Sequence, residues 1–410
     1  MRSLVIALLL TLFSPVQQLL ALTMDEAVNA ALQNHQRIAQ FRADVEQSHA
    51  AVGTTRAAFL PRVDLNYAYG KSEQDPFSLG KESSTLALGA SLNLFNGLVD
   101  YRNYQAAQQR EMAANYQLQG TIADIMLETR QAYIEVLRAE RSVATATEGV
   151  QLLERQKRDA DLQLKYGVIA RNDLLRVEVE LSSARQERLQ TEGTLQIARR
   201  QIERMIDRRL PNTEKLIEES ISSLLRGDFG VAEDYRQQLL DQRSELNYLR
   251  HLLQAASFTR QASKGGFLPS IDLSARHEEY GDSLAPTGRD NSSDDDNLLL
   301  LSANWNLFNG FASSQTVSAA EASRRSVAAQ LRDTEATLLL QLETILQNAH
   351  IAQGRLLEAR TGVTQAEENY RVTENRFQQQ QATTVDLLDA QFLLTRARNL
   401  QVNAQYDLYL

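Results

Sequence analysis

The sequence predicts a mainly α protein with a β-barrel portion, built from one half repeated, in which long coiled-coil helices alternate with four strands. Three observations predict it. Leu94-Phe95-Asn96-Gly97 recurs as Leu307-Phe308-Asn309-Gly310, 213 residues further on. Each copy closes an alternating apolar/polar run, which has the period of a strand. Each copy also opens a long polar run whose apolar residues step by fours and threes, the seam of a coiled coil. A repeat of this length is a duplicated domain half rather than a solenoid unit.

The first residues are expected to be removed. Arg2 supplies a positive start, Leu4 to Phe13 an apolar stretch broken by Pro15, and Ala21 a small residue for cleavage, so 1–21 reads as a secretory signal peptide. Downstream no apolar run is long enough for a membrane helix. The absence of cysteine excludes disulfides, thiolate metal sites and a lipid-anchored N-terminal Cys. A net charge of −9, with no basic cluster interleaved by aromatics, argues against a nucleic-acid partner.

The first structural repeat is assigned to 22–207. Thr23 caps a helix whose first turn carries Asp25 and Glu26, where acids suit the helix dipole. That helix is expected to run to about Thr55 and to close before Pro61. A β-hairpin follows over 62–95. Val63, Leu65, Tyr67 and Tyr69 share one face, and Leu86, Leu88, Ala90, Leu92 and Leu94 share one face of the second strand. Past Gly97 a heptad seam runs through Ile122, Ile125, Thr129, Val136, Val150, Leu153 and Ala160 to Leu164. A helix from Leu98 to Lys165 would be about 100 Å long. It stops at Tyr166-Gly167, and after a tip turn (166–172) another starts near Asn172-Asp173 and returns to about Asp207.

Residues 208–230, with Pro211, Gly227 and Gly230, read as a linker. The second structural repeat, 231–410, follows the same order. A helix covers about 232–262, Phe267-Leu268-Pro269 echoes Phe59-Leu60-Pro61, and a hairpin spans 270–307 around a loop at 278–296. Leu299, Leu301, Ala303, Trp305 and Leu307 form the apolar face of the fourth strand. The seam returns through Leu331, Leu338, Leu342, Ile345, Ala352, Leu356, Val363 and Phe377. A second tip turn (378–385) leads into the last helix, from about Asp386.

Four strands cannot close a membrane barrel, which needs at least eight. Open edges in lipid would leave backbone groups unpaired at several kcal/mol each. Two chains would give eight strands and three would give twelve. No nucleophile–base pair, phosphate loop or metal cluster points to an enzyme, and His35, His49, His251, His277 and His350 lack metal spacing. No cofactor is expected. The competing reading is a periplasmic coiled-coil scaffold or adaptor, which explains the heptads and leaves the four strands unexplained.

The doubled order of helix, Phe-Leu-Pro, strand, loop, strand, Leu-Phe-Asn-Gly and long helix resembles the TolC-like outer-membrane efflux proteins over essentially the whole mature chain. Asp173-Leu174-Leu175 and Asp386-Leu387-Leu388, just past each turn, belong to the same pattern. The resemblance implies a homotrimer in the outer membrane, with a twelve-stranded barrel in lipid and a twelve-helix α-barrel reaching into the periplasm. It implies a periplasmic membrane-fusion adaptor and an inner-membrane RND or ABC pump as partners, in efflux or type I secretion. The adaptor would dock at the tip, carried here by Tyr166, Gly167, Val168, Ile169, Gln380 and Thr383. Asp386 and Asp389 match the family's paired constriction aspartates, and in a trimer they would make two acidic rings that attract cations. Their other reading is ordinary helix N-terminal acids. Asp173 is the acid the family's latch arginine would meet, but Ala382 stands where that arginine belongs. Asp294-Asp295-Asp296 reads as a solvated loop rather than a calcium site, and Trp305 and Tyr67 as interfacial or packing aromatics.

Overall fold

The structure, a computed structural model, describes residues 21–72, 82–211, 214–218, 227–289 and 293–410. The expected signal peptide, Ala21 apart, lies outside them. In chain order the elements are β1 (Ala21–Leu22), α1 (Met24–Asn34), α2 (Gln36–Arg56), β2 (Arg62–Lys71), β3 (Glu82–Asn96), α3 (Val99–Lys165) and α4 (Arg171–Ile206). Then come β4 (Lys215–Leu216), α5 (Ala232–Gln242), α6 (Ser244–Ser263), β5 (Ser270–Gly281), β6 (Asp295–Asn304), α7 (Ala312–Gln378) and α8 (Thr384–Tyr409). The chain divides into two compact units. One holds residues 37–121 and 231–343; the other holds the described residues of 1–36, 122–230 and 344–410. The helices α3 and α7, 67 residues each, contribute to both.

The first unit is built on an antiparallel sheet of order β2-β3-β5-β6. The two hairpins are copies. Arg62 pairs with Ser91 and Lys71 with Glu82; Ser270 pairs with Asn304 and Glu279 with Asp295. A shift of 208 on the first strand and 213 on the second therefore maps one register onto the other, and the extra residues fall in the β5–β6 loop. Alternation places Val63 and Leu65 outward, at 65% and 67% exposure, and β6 is exposed along its whole length. The helices beside the sheet bury Leu246, Leu249 and Ala255, stack Tyr116 on His251 and pair Arg260 with Glu321 at 2.6 Å.

The second unit consists of helical hairpins. Residues 122–165 of α3 run with α4, tied by Lys157–Glu178 and Arg185–Glu154, both at 2.8 Å. Residues 344–378 of α7 run with α8. Arg398 of α8 reaches Glu367 on α7 and Glu148 on α3, each at 3.0 Å. Val150, Leu153 and Leu181 form a core against which Leu388 packs, and Ala352, Leu356, Ala404 and Leu408 form another. The predicted seam residues are buried or half-buried, with one exception: Ile345 is 64% exposed.

Several elements differ from expectation for physical reasons. The first helix breaks at His35 and its repeat counterpart at Arg243, both in extended backbone. Neither break carries proline or glycine. Side-chain amides replace the lost helical donors: Gln36 Nε2 donates to the Asn34 carbonyl and Asn247 Nδ2 to that of Asp241. The predicted linker contains β4, which pairs in parallel with β1. The Tyr133 hydroxyl, fully buried, lies 2.7 Å from the Leu22 carbonyl and 2.8 Å from that of Ile217, and accepts from the Ile217 N–H. One tyrosine thus takes up polar groups that two-residue strands leave open. The loop between β5 and β6 is shorter than 278–296, because pairing continues to Glu279 and Asp295. In contrast, β6 ends at Asn304, so Trp305 and Leu307 lie beyond the strand. Finally, α4 begins at Arg171 rather than at Asn172 or Asp173.

Candidate functional site: the helical tips

Both tips lie in the helical unit and share one backbone design. After α3, Gly167 takes a left-handed conformation (φ +71°); its N–H donates to the Leu164 carbonyl and that of Val168 to the Gln163 carbonyl. After α7, Gln380 takes the same conformation (φ +59°), with its N–H on the Phe377 carbonyl and that of Gln381 on the Arg376 carbonyl. These paired bonds define the Schellman motif, which satisfies carbonyls a helix end leaves free. Glycine suits such a position, whereas glutamine in it is strained. Tyr166 and Val168 stand out from the first turn at 77% and 50% exposure; Ile169 is half-buried.

The helices that leave the tips also start alike. Asp173 and Asp386 are repeat counterparts, 213 residues apart, and each is the third residue of its helix. The Asp173 carboxylate accepts from the Ala170 N–H at 3.2 Å. Asp386 accepts from the N–H and hydroxyl of Thr383, both at 2.8 Å, while its own N–H donates to Thr383 Oγ1 at 3.2 Å. That is a full capping box, and its donors hold the Asp386 carboxyl below the usual carboxylate range. The backbone and hydroxyl of Thr383 contribute most, and Arg376 adds a smaller attraction. Asp389 is exposed, one turn further on, with no hydrogen bond or ion pair among the described residues. No bond joins Asp173 to Asp386 or Asp389. Capping therefore accounts for Asp173 and Asp386, whereas Asp389 has no such role.

Arg376 escaped the sequence reading. It lies in the last turn of α7 and donates to the Gln381 carbonyl at 3.3 Å, which places a cation at this tip although Ala382 supplies none. Just above the turns, a cleft of about 340 Å³ separates the two hairpins, lined by Gln156, Asp159, Glu374, Phe377, Thr384 and Leu387. Tyr370, at the same level, donates to Glu374 at 3.1 Å, and burial pushes its hydroxyl up to about 12. Among the described residues no group of acids and histidines is placed to hold a metal ion, and no helix is long and apolar enough to cross a membrane.

Long helical hairpins in one unit and an outward-facing apolar sheet with two open edges in the other define a class of protein: the outer-membrane channel. Residues 27–207 and 235–410 match the family model described as "Outer membrane efflux protein". The chain belongs to that family. It is 23% identical to the outer membrane protein TolC of Vibrio cholerae over 93% of this chain and 87% of that protein. It is also 23% identical to the alkaline protease secretion protein AprF of Pseudomonas aeruginosa, over 62% of this chain and 53% of that one. The solved structure of the channel CusC superposes with a TM-score of 0.83 at 16% identity, covering 94% of this chain and 89% of that one, a likeness of fold. The protein is an outer-membrane exit duct of the efflux and secretion class, with its helices in the periplasm.

Proposed function

We propose that three copies close a twelve-stranded barrel in the outer membrane and a twelve-helix tube in the periplasm, that a periplasmic membrane-fusion adaptor docks on the tips, and that an inner-membrane RND or ABC pump loads the duct. One observation carries this reading: among the described residues β2 and β6 are unpaired edges of a sheet whose Leu299 and Leu301 stand outward at 74% and 64% exposure. Hydrocarbon accepts such leucines but not free edges, so further copies must pair them.

The tip acids form the gate in this reading. Asp389 supplies a free carboxylate from each copy, Asp386 a second held in its cap, and Asp173 a third on the other hairpin. Stacked acidic rings draw cations inward and repel one another as the aperture narrows. Adaptor docking uses the exposed turns, Tyr166–Ile169 on one hairpin and Gln380 with Thr383 on the other. Single-channel recording in planar bilayers tests the gate: Asp389→Asn and Asp386→Asn should each raise conductance and weaken cation selectivity. Unchanged currents in both would overturn the acidic gate. Exchanging the residues around Gly167 should abolish crosslinking to the adaptor while the oligomer persists; normal crosslinking would remove the docking site.

A further inference from the structure

The internal repeat gives more than a count of strands. β3 is paired on both sides, with β2 and with β5, whereas among the described residues its repeat counterpart β6 is paired on one side only. The paired side obeys the repeat residue by residue, since the β2–β3 register becomes the β5–β6 register under the shifts of 208 and 213. The open side of β6 is thus the counterpart of the β3–β5 seam, and the strand that belongs there is the counterpart of β5, which is β2. Within one chain β2 lies at the far edge of the sheet. Resting on the trimer proposed above, we infer that β6 pairs with β2 of a second copy in the register that the β3–β5 seam dictates.

The same shifts name the partners. Leu92 pairs with Leu273, Asn93 with Asp272 and Phe95 with Ile271 across an irregularity at Leu94. Their counterparts are Trp305 with Leu65, Asn306 with Asp64 and Phe308 with Val63, each pair spanning two copies. In the existing seam Asn93 Nδ2 donates to Asp272 Oδ1 at 2.7 Å. Both residue types recur, so Asn306 of one copy donates to Asp64 of the next. The pairing also accounts for where β6 stops. Residues 92–96 of β3 are held by β5, but their counterparts Trp305–Asn309 have no strand beside them in one chain and leave the sheet.

At the base of the seam one pair of side chains is matched in volume. A methyl built on Gly97, at φ +68°, would lie 2.6 Å from the Gly265 carbonyl and 3.0 Å from Leu268 Cβ, and one built on Gly265 would lie 2.3 Å from Val99 Cγ2 and 2.9 Å from the Gly97 carbonyl. Gly310 is the counterpart of Gly97, with the same conformation (φ +66°) and nothing against it in one chain. Its partners in the second copy are Ala57, in place of Gly265, and Leu60, in place of Leu268. The methyl that Ala57 adds is matched by Ala312, which stands in place of Val99. A methyl on Gly265 would meet the Gly97 carbonyl at 2.9 Å, so Ala57 requires the backbones of this seam to stand farther apart than those of the β3–β5 seam.

The protein contains no cysteine, so disulfide trapping has no background. Asp64→Cys and Asn306→Cys chains, co-expressed and oxidised in isolated outer membranes, should give a covalent dimer holding one chain of each kind. The double variant should give a ladder ending at three chains. Native mass spectrometry in detergent measures the oligomer independently. An intact trimer in which Asn306→Cys joins Asn66→Cys instead of Asp64→Cys, or joins neither, would overturn the register and leave the trimer standing. A monomer would overturn the trimer and the seam together. As a packing test, Ala312→Val should cause loss of the oligomer on mild heating in detergent and Ala57→Gly should restore it; no loss, or no restoration, would overturn the volume match.

Discussion

Gln380 and Gly167 are the same backbone position filled by different residues. A left-handed conformation costs a residue with a β-carbon about 1 kcal/mol or more, and glycine nearly nothing. Gln380→Gly should therefore stabilise the second turn by about 1 kcal/mol, and Gly167→Ala should destabilise the first by a similar amount. Thermal melting followed by hydrogen exchange at the tips checks both, and a destabilising Gln380→Gly would show that the glutamine side chain is itself bonded. Asp386 and Asp389 separate at the same scale. The former is tied to Thr383 and the latter is free, so a charge change at Asp389 tests the proposed gate without disturbing a helix start.

Among the elements, the short β1–β4 pair shows how a side-chain cluster fixes an otherwise irregular segment. Next to it, Glu218 accepts from Arg141 at 2.7 Å and from Gln405 and Tyr406 at 2.8 Å. Burial works against its charge, yet these donors hold the Glu218 carboxyl below the ordinary range. A carboxyl depressed in the folded state stabilises fully above the ordinary range and loses that contribution as pH falls through its folded value. The melting temperature of Glu218→Gln should then trail the parent protein at neutral pH and converge with it in acid; a constant gap would rule out this linkage. Strand alternation and heptads were legible because both are local periodicities, and the duplication allowed each half to check the other. The breaks at His35 and Arg243 were not, since amides such as Gln36 and Asn247 look like any polar residue of a helix until their carbonyl partners are seen. The start of α4 was missed because Ala170 carries no capping side chain, its N–H being met from three residues away. Arg376 was missed because its carbonyl partner lies across the turn, and Ile345 because hydropathy cannot tell an inward seam from an outward apolar residue.

At the scale of the whole molecule the repeat behaves as a rule with one exception. Through the strands its offset is rigid, because a slip of one residue would turn every side chain to the opposite face. Only the span between Glu279 and Asp295 has grown relative to that between Lys71 and Glu82. Length gained in a loop costs little closure entropy. That loop closes the end of the hairpin opposite the helices, so in the proposed trimer it looks away from the periplasm. A short epitope placed after Ser283 should be displayed to antibody on intact cells with the oligomer unchanged, whereas the same tag inside β5 should abolish assembly. The oversized connection is thus the place where a label would report which end of the duct meets the cell's exterior.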